Sequence, residues 1–243
     1  MNILLLGDEH AYGYGLSGRQ LSYMAHFIRQ LSRTGRSVAV EAYSHLTLRE
    51  STDLLARLPL HQYDLIILQL GPDLIERRIP GSNPTEAPLS VLKELVSIPG
   101  KAEPAGAGLL KQTRTVAKKL FNLVASAVPS LNCPGGLVNL LTLLRPYRHT
   151  VLLMTPFPSE TWLDQWMREH SRLVLLEQGR NKSFSVFDTN DVVQPRSEFF
   201  LTDDREHLNG ASHELIGRAL FDFYQSAPTI VTVQRINRNE LPY

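Results

Sequence analysis

Residues 3–10 have the sequence ILLLGDEH, a short apolar run followed by a glycine and three ionisable residues. A continuous apolar run that ends at turn residues is typical of a strand buried on both faces of a parallel sheet. Asp8, Glu9 and His10 therefore follow the carboxyl end of a predicted strand. Because ligands bind beyond the carboxyl ends of the strands in open parallel sheets, these three residues are the first candidates for a functional site.

Apolar runs and helical patterns alternate along the rest of the chain. Further strands are predicted at residues 38–40, 64–70 (DLIILQL), 150–155 (TVLLMT) and 184–187. Helices are predicted at residues 17–31, 47–58, 137–144, 160–177 and 213–224. Ser17 is the expected N-cap of the first helix and Gly35 its stop, and Thr47 and Glu50 form a capping box that opens the second. This alternation predicts an α/β protein, a three-layer α/β/α sandwich around a five-stranded parallel sheet.

Three segments depart from this regular alternation. Residues 76–108 are rich in proline and glycine, which predicts an insertion or flap. Residues 109–128 form a basic amphipathic pattern, typical either of a solvated helix or of one that meets a membrane surface or an acidic partner. Residues 227–243 form a C-terminal extension, of which residues 229–235 have the composition of a strand. We expect one domain that spans residues 1–243.

Charge and cysteine content exclude several functional classes. The 25 Lys and Arg residues nearly balance the 24 Asp and Glu residues, and a net charge of +1 argues against nucleic-acid binding through bulk charge. The single cysteine, Cys133, excludes an intrachain disulfide and a zinc site built from several thiolates. With no leader pattern and no apolar stretch of about 20 residues, we expect a cytoplasmic protein without a membrane span. We predict no cofactor, and the sequence leaves the oligomeric state open.

Polar and ionisable residues also follow the other predicted strands. They are Ser44 and His45 after the second strand, Asp73 after the third, and Asp203, Asp204, Glu206 and His207 just before the last helix. A single carboxylate in such a place is often a helix cap or part of a solvated turn, and this is our interpretation of Asp203 and Glu206. Carboxylates at three strand ends on one edge of the sheet predict a functional pocket there.

Three short blocks, in order along the chain, resemble the SGNH or GDSL hydrolases. The first strand ends in Gly7-Asp8-Glu9 where that family has Gly-Asp-Ser, and the third ends in Gly71-Pro72-Asp73-Leu74 where it has Gly-x-Asn-Asp. Asp204-Arg205-Glu206-His207 matches the Asp-x-x-His that precedes the final helix of the family. The match covers roughly residues 1–75 and 145–225. It implies a flavodoxin-like strand order and an ester-hydrolase-like site.

The departures from the family pattern determine the functional expectation. Glu9 stands in the position of the nucleophilic serine, Asp73 stands in that of the oxyanion-hole asparagine, and no glycine follows the second strand. Only His207, the general base of the family, and Asp204, which would orient it, are kept. Glu9 has no hydroxyl to form an acyl-enzyme, and an ionised Asp73 would oppose the negative charge of an oxyanion.

We therefore expect a degenerate member of the fold, without ordinary esterase activity, whose pocket binds a small acyl, sugar or related ligand. Its candidate catalytic residues are Glu9, Asp73, Asp204 and His207, and its candidate ligand-binding residues are Asp8, His10, Ser44 and Gly71. We assign no resident metal ligand. Two alternatives stay open. Glu9, Asp73 and His207 could activate a water or hold a divalent cation that does so, or the pocket could be filled and the chain act as an interaction module.

The same resemblance predicts two distances. Asp204 should lie within hydrogen-bond reach of the His207 ring, with Asp203 as the other possible partner and helix capping as the competing role for Asp204. Glu9 should lie within salt-bridge distance of His207, because a carboxylate in this place is stabilised most simply by an opposed imidazolium.

Overall fold

The central sheet has five parallel strands. The structure, a computed structural model, describes residues 1–71, 135–204 and 206–227, and for Leu163 the backbone alone. The strands are β1 (Asn2–Gly7), β2 (Ala39–Ser44), β3 (Leu65–Gln69), β4 (Val151–Met154) and β5 (Ser185–Phe187). They lie in the order β2-β1-β3-β4-β5, and each neighbouring pair is parallel. This confirms the predicted fold class and its flavodoxin-like order.

Helices cover both faces of this sheet. The described helices are α1 (Glu9–Tyr12), α2 (Tyr23–Arg33), α3 (Leu48–Arg57), α4 (Gly135–Leu144), α5 (Trp162–Lys182) and α6 (Gly210–Ser226). Single 3₁₀ turns occupy Leu60–Gln62, Arg145–Tyr147, Thr189–Asp191 and Ser197–Phe199. All described residues fall within one compact unit of the chain.

Two apolar clusters, one on each face, hold the layers together. In β1 the side chains alternate, so that Ile3 and Leu5 join one cluster while Leu4 and Leu6 join the other. The first cluster packs β1 against α2 and α6, and the second packs it against α3, α4 and α5. Each fully buried Leu or Ile contributes roughly 1.5–3 kcal/mol of transfer free energy, which explains why the uninterrupted apolar runs of β1, β3 and β4 form buried strands.

The start of α2 differs from the sequence prediction. The helix begins at Tyr23, and the side chain of Ser22, not of Ser17, accepts a hydrogen bond from the backbone N–H of Ala25 as its N-cap. The backbone oxygen of Ser17, not its side chain, accepts the N–H of Gln20 at 2.8 Å in a turn. Two serines of equal capping ability precede the same apolar pattern, and local propensity does not choose between them.

Other element boundaries agree or shift modestly. The capping box of Thr47 and Glu50 is present at the start of α3, and Gly35 has the left-handed φ of 82° expected just past the end of α2. The sequence prediction missed α1, a single helical turn too short for a periodic pattern. The N-cap of α6 is Asn209, so the competing capping role for Asp204 is wrong.

Several predicted features lie outside the described residues. They are Asp73, Cys133, the insertion at 76–108, the basic helix at 109–128 and the tail at 229–235. The division of the chain into one domain with an insertion and an extension therefore stays a prediction. Among the described residues, no helix combines the length and apolarity needed to cross a membrane.

Candidate functional site

The turn from β1 into α1 positions Glu9 at the carboxyl edge of the sheet. Asp8 caps α1, because its Oδ1 accepts the backbone N–H of His10 at 2.9 Å. Glu9 is then the first residue of α1. The turn is tight at Gly7, where a Cβ would lie 2.9 Å from the Cβ of Ala11. Only glycine lets α1 approach the strand this closely.

A second loop carries His207 to the same edge. Its backbone oxygen accepts the N–H of Leu201 at 2.8 Å, and Leu208 forms an antiparallel bridge with Phe200. Asn209 secures the end of the loop, because its Nδ2 donates to Glu198 O at 2.7 Å while its Oδ1 accepts the N–H of Ser212 at 3.0 Å. The main chain around His207 is therefore held by bonds on both sides.

His207 lies between two carboxylates. Its Nδ1 is 2.5 Å from Asp204 Oδ2, and its Nε2 is 3.1 Å from Glu9 Oε1. The two distances expected from the sequence are thus both observed, and Asp204 rather than the exposed Asp203 is the partner. Because carboxylate oxygens only accept hydrogen bonds, both contacts are hydrogen bonds at once only with the imidazolium form.

The ends of this Glu9–His207–Asp204 chain reach solvent. The Glu9 and Asp204 side chains are 42% and 39% exposed, whereas that of His207 is 11% exposed. Partial burial raises the pKa of Asp204, but hydrogen bonds from the Glu206 N–H and from His207 outweigh it, and the net pKa is lowered. The three side chains of Glu9, His207 and Asp204 together carry a net charge of −1 with His207 protonated and −2 with it neutral.

A buried polar layer underlies the site. His10 is 2% exposed and lies against His207, with ring centroids 5.3 Å apart, and against Phe157 at 5.0 Å. Its Nδ1 is 3.3 Å from Asp8 Oδ1. Burial raises the pKa of Asp8, but the charge and hydrogen bonds of His10 lower that pKa by more than burial raises it. The net pKa of Asp8 is therefore lowered.

His213 completes this layer and was missed by sequence reasoning. It is fully buried in the first turns of α6, and its Nδ1 accepts the backbone N–H of Tyr23 at 3.1 Å. Burial, reinforced by the charge of nearby His10, lowers the pKa of His213 to about 3. The only sequence signal was a histidine at the start of an amphipathic helix, which does not distinguish a buried imidazole from a solvated one.

The candidate ligand-binding residues occupy different surroundings. Asp8 and His10 face each other beneath the site, where His10 is buried and the Asp8 side chain is 26% exposed, and their ligand-binding role stays a prediction. Gly71 lines a cavity of about 60 Å³ between the ends of β1 and β3 and the start of α3. Ser44 is the last residue of β2, half-buried, and is not part of that lining.

Among the described residues, no group of three or more His, Cys, Asp or Glu side chains could hold a metal ion. Asp73, the third ligand of the cation alternative, lies outside them.

His45, which follows β2, has a φ of 56°, in the left-handed region that favours glycine.

Comparison with solved structures identifies the fold. A lipase/acylhydrolase from Enterococcus faecalis superposes with a TM-score of 0.56 at 16% identity, covering 96% of this chain and 99% of that chain. An acetylxylan esterase from Geobacillus stearothermophilus gives 0.56 at 15% identity, with 96% and 97% covered. A lipolytic protein assigned to the G-D-S-L family, from Desulfitobacterium hafniense, gives 0.54 at 12% identity, with 91% and 98% covered.

No family model and no curated protein sequence matches the chain. At identities this low the similarity establishes the fold, which is the α/β/α sandwich of the SGNH/GDSL hydrolases.

Proposed function

We propose that this chain is an SGNH/GDSL-fold protein that binds a small ligand at the carboxyl edge of its sheet and does not hydrolyse esters through a serine. The observation that carries the proposal is the contact of Glu9 Oε1 with His207 Nε2 at 3.1 Å. In a serine hydrolase, the corresponding imidazole nitrogen takes the proton of the nucleophile. Here that nitrogen faces a carboxylate, which has no proton to give and forms no acyl-enzyme.

The charge of the site supports the same conclusion. Acyl transfer develops an oxyanion, and losing one donor that stabilises it typically costs about 10²–10³ in rate. The Glu9–His207–Asp204 chain is negative in both protonation states of His207, so it opposes such an intermediate. The expected Asp73 in the asparagine position would add to this effect, and that assignment stays a prediction because Asp73 lies outside the described residues.

The proposal includes a cytoplasmic setting and a ligand of the acyl, sugar or related class. The single cysteine of the chain is consistent with a reducing compartment. The lipolytic and acetylxylan-esterase neighbours suggest acyl and sugar groups as the first ligands to screen.

The test compares the wild-type chain with the Glu9→Ser variant. Wild type should show no turnover of short-chain nitrophenyl esters and no covalent labelling by a fluorophosphonate probe. Glu9→Ser restores a hydroxyl beside His207 and should give at most weak turnover, because Asp73 in the asparagine position and the missing glycine after the second strand would leave the oxyanion poorly stabilised. Glu9→Ser/His207→Ala is the matched control and should lose that activity. Robust turnover and labelling of wild type would show that a nucleophile lies elsewhere.

A second candidate function is hydrolysis by an activated water. The observation that favours it is the 42% exposure of Glu9 beside a His207 that Asp204 orients at 2.5 Å. A water at Glu9 could lose a proton to this pair. This candidate predicts ester turnover without probe labelling that is lost in Glu9→Gln and in His207→Ala. Repeating the assay with and without divalent cations separates the water mechanism from the cation mechanism.

A further inference from the structure

An exposed aromatic ring lies directly against the candidate site. Tyr14 is 60% exposed, and its ring centroid is 4.6 Å from that of His207, with the ring planes tilted by 42°. Tyrosine usually buries most of its ring. The contact with His207 occupies one part of the ring, and the exposed part is left for another molecule.

The main chain holds Tyr14 rigidly in this place. The flanking residues Gly13 and Gly15 are both left-handed, with φ of 78° and 76°. The backbone N–H of Tyr14 donates to Glu9 O at 3.1 Å. A Cβ on Gly15 would lie 2.5 Å from Leu201 Cδ1, so this turn is closely packed against the loop that carries His207. The ring is therefore presented beside the site by a fixed turn, and stacking on it costs little conformational entropy.

The polar groups beside Tyr14 are hydrogen-bond acceptors with negative charge. The Glu9 and Asp204 side chains are 42% and 39% exposed, and each uses one oxygen on His207. The side chains of Glu9, His207 and Asp204 together carry a net charge of −1 with His207 protonated and −2 with it neutral. An anionic ligand would be repelled at this position, and a cation would be attracted both by the carboxylates and by the π face of the tyrosine.

We propose that the site recognises the cationic head of a small amine, of the substituted-ammonium class, stacked on Tyr14 and paired with the Glu9 carboxylate. This rests on the proposed function, since it concerns the same site, and it adds a cationic ammonium group to the acyl, sugar or related ligand proposed there. Tyr14 is then a specificity-determining residue: its ring selects a cation over a neutral group of the same shape, and Glu9 supplies the countercharge.

The experiment uses choline as the probe and dimethylbutanol, in which a carbon replaces the ammonium nitrogen, as its neutral isostere. Binding of each to the full-length chain is measured by ligand-observed NMR titration at neutral pH and low salt. Choline should bind about tenfold more tightly than the isostere. Tyr14→Phe keeps the π face and should retain choline binding, whereas Tyr14→Leu should weaken it about three- to tenfold. Glu9→Gln should weaken it as well.

Trp166→Leu is the matched control. Trp166 is another exposed aromatic, stacked on His170 in α5, and its loss should leave choline affinity unchanged. Equal binding of the neutral isostere, retention of affinity in Tyr14→Leu, or no saturable binding of choline would each overturn the proposed ligand class. Fluorophosphonate labelling of wild type would instead overturn the proposed function, so the two failures are distinguishable.

Discussion

At the scale of single residues, Glu9 changes what His207 can do. An imidazole oriented by Asp204 at 2.5 Å is prepared to accept a proton on its other nitrogen. Glu9 Oε1 is already 3.1 Å from that nitrogen. The same pair that would activate a hydroxyl is thus engaged as an ion pair when His207 is protonated, and a substrate hydroxyl or water has to compete with the Glu9 carboxylate for it.

His45 is a second residue whose local state is informative, because its backbone is left-handed while its side chain is exposed. This conformation costs a residue with a Cβ about 1–2 kcal/mol, and glycine avoids the cost. We expect His45→Gly to be more stable than His45→Ala by about 1 kcal/mol. Both variants lose the same imidazole, so the comparison isolates the backbone. Urea denaturation measures the two unfolding free energies, and an Ala variant as stable as the Gly variant would contradict the strain.

At the scale of elements, the packing of α6 on α2 depends on Gly217. A Cβ at this position would lie 2.7 Å from the backbone oxygen of Tyr23 and closer still to the Cβ of His26. Helix propensity alone favours alanine over glycine by about 1 kcal/mol. We nevertheless expect Gly217→Ala to destabilise the protein by about 1–3 kcal/mol, because the two helices have to move apart.

The matched control is Leu215→Ala, on the same helix and 46% exposed. Its unfolding free energy should change by no more than about 0.5 kcal/mol. Guanidinium denaturation monitored by circular dichroism measures both variants. A Gly217→Ala variant that is more stable than wild type would mean that α6 and α2 are not in this close contact.

The strands were easier to predict from the sequence than the start of α2 or the presence of α1. The strands were predictable because residues 3–6, and residues 65–68 within the predicted strand at 64–70, are apolar without interruption, as strands covered on both faces require. The start of α2 was not, because Ser17 and Ser22 are equally good caps and the choice depends on tertiary packing. The four residues of α1 contain too little sequence to show a helical period.

At the scale of the whole molecule, the fold brings together residues that are far apart in sequence. His207 contacts Glu9 across 198 positions, and His213 accepts the N–H of Tyr23 across 190. The first contact was predictable, since resemblance to a known fold aligns both residues with one edge of the sheet. The second was not, because the burial of His213 is produced by α2, α6 and the His10 turn together, and no local pattern encodes it.

This buried histidine makes the stability of the whole molecule depend on pH. The pKa of His213 falls from its usual 6.5 to about 3 in the folded chain, because burial disfavours the charged ring. Between these two values the unfolded chain binds a proton that the folded chain does not. The unfolding free energy therefore loses nothing to His213 above about pH 6.5. As the pH drops from 6.5 toward 3, it falls by up to about 1.4 kcal/mol per pH unit.

The variant that tests this is His213→Asn, whose side-chain oxygen can still accept the Tyr23 N–H but which has no proton to gain. It should be less stable than wild type at pH 7, because it leaves part of the ring volume empty. Its unfolding free energy should nevertheless decline less steeply between pH 6.5 and 4. The two slopes should differ by up to about 1.4 kcal/mol per pH unit, the value for one proton. Urea denaturation of both proteins across this range gives the two slopes, and carboxylates such as Asp8 and Asp204 affect both alike. Parallel curves for variant and wild type would show that His213 is protonated in the folded protein or accessible to water.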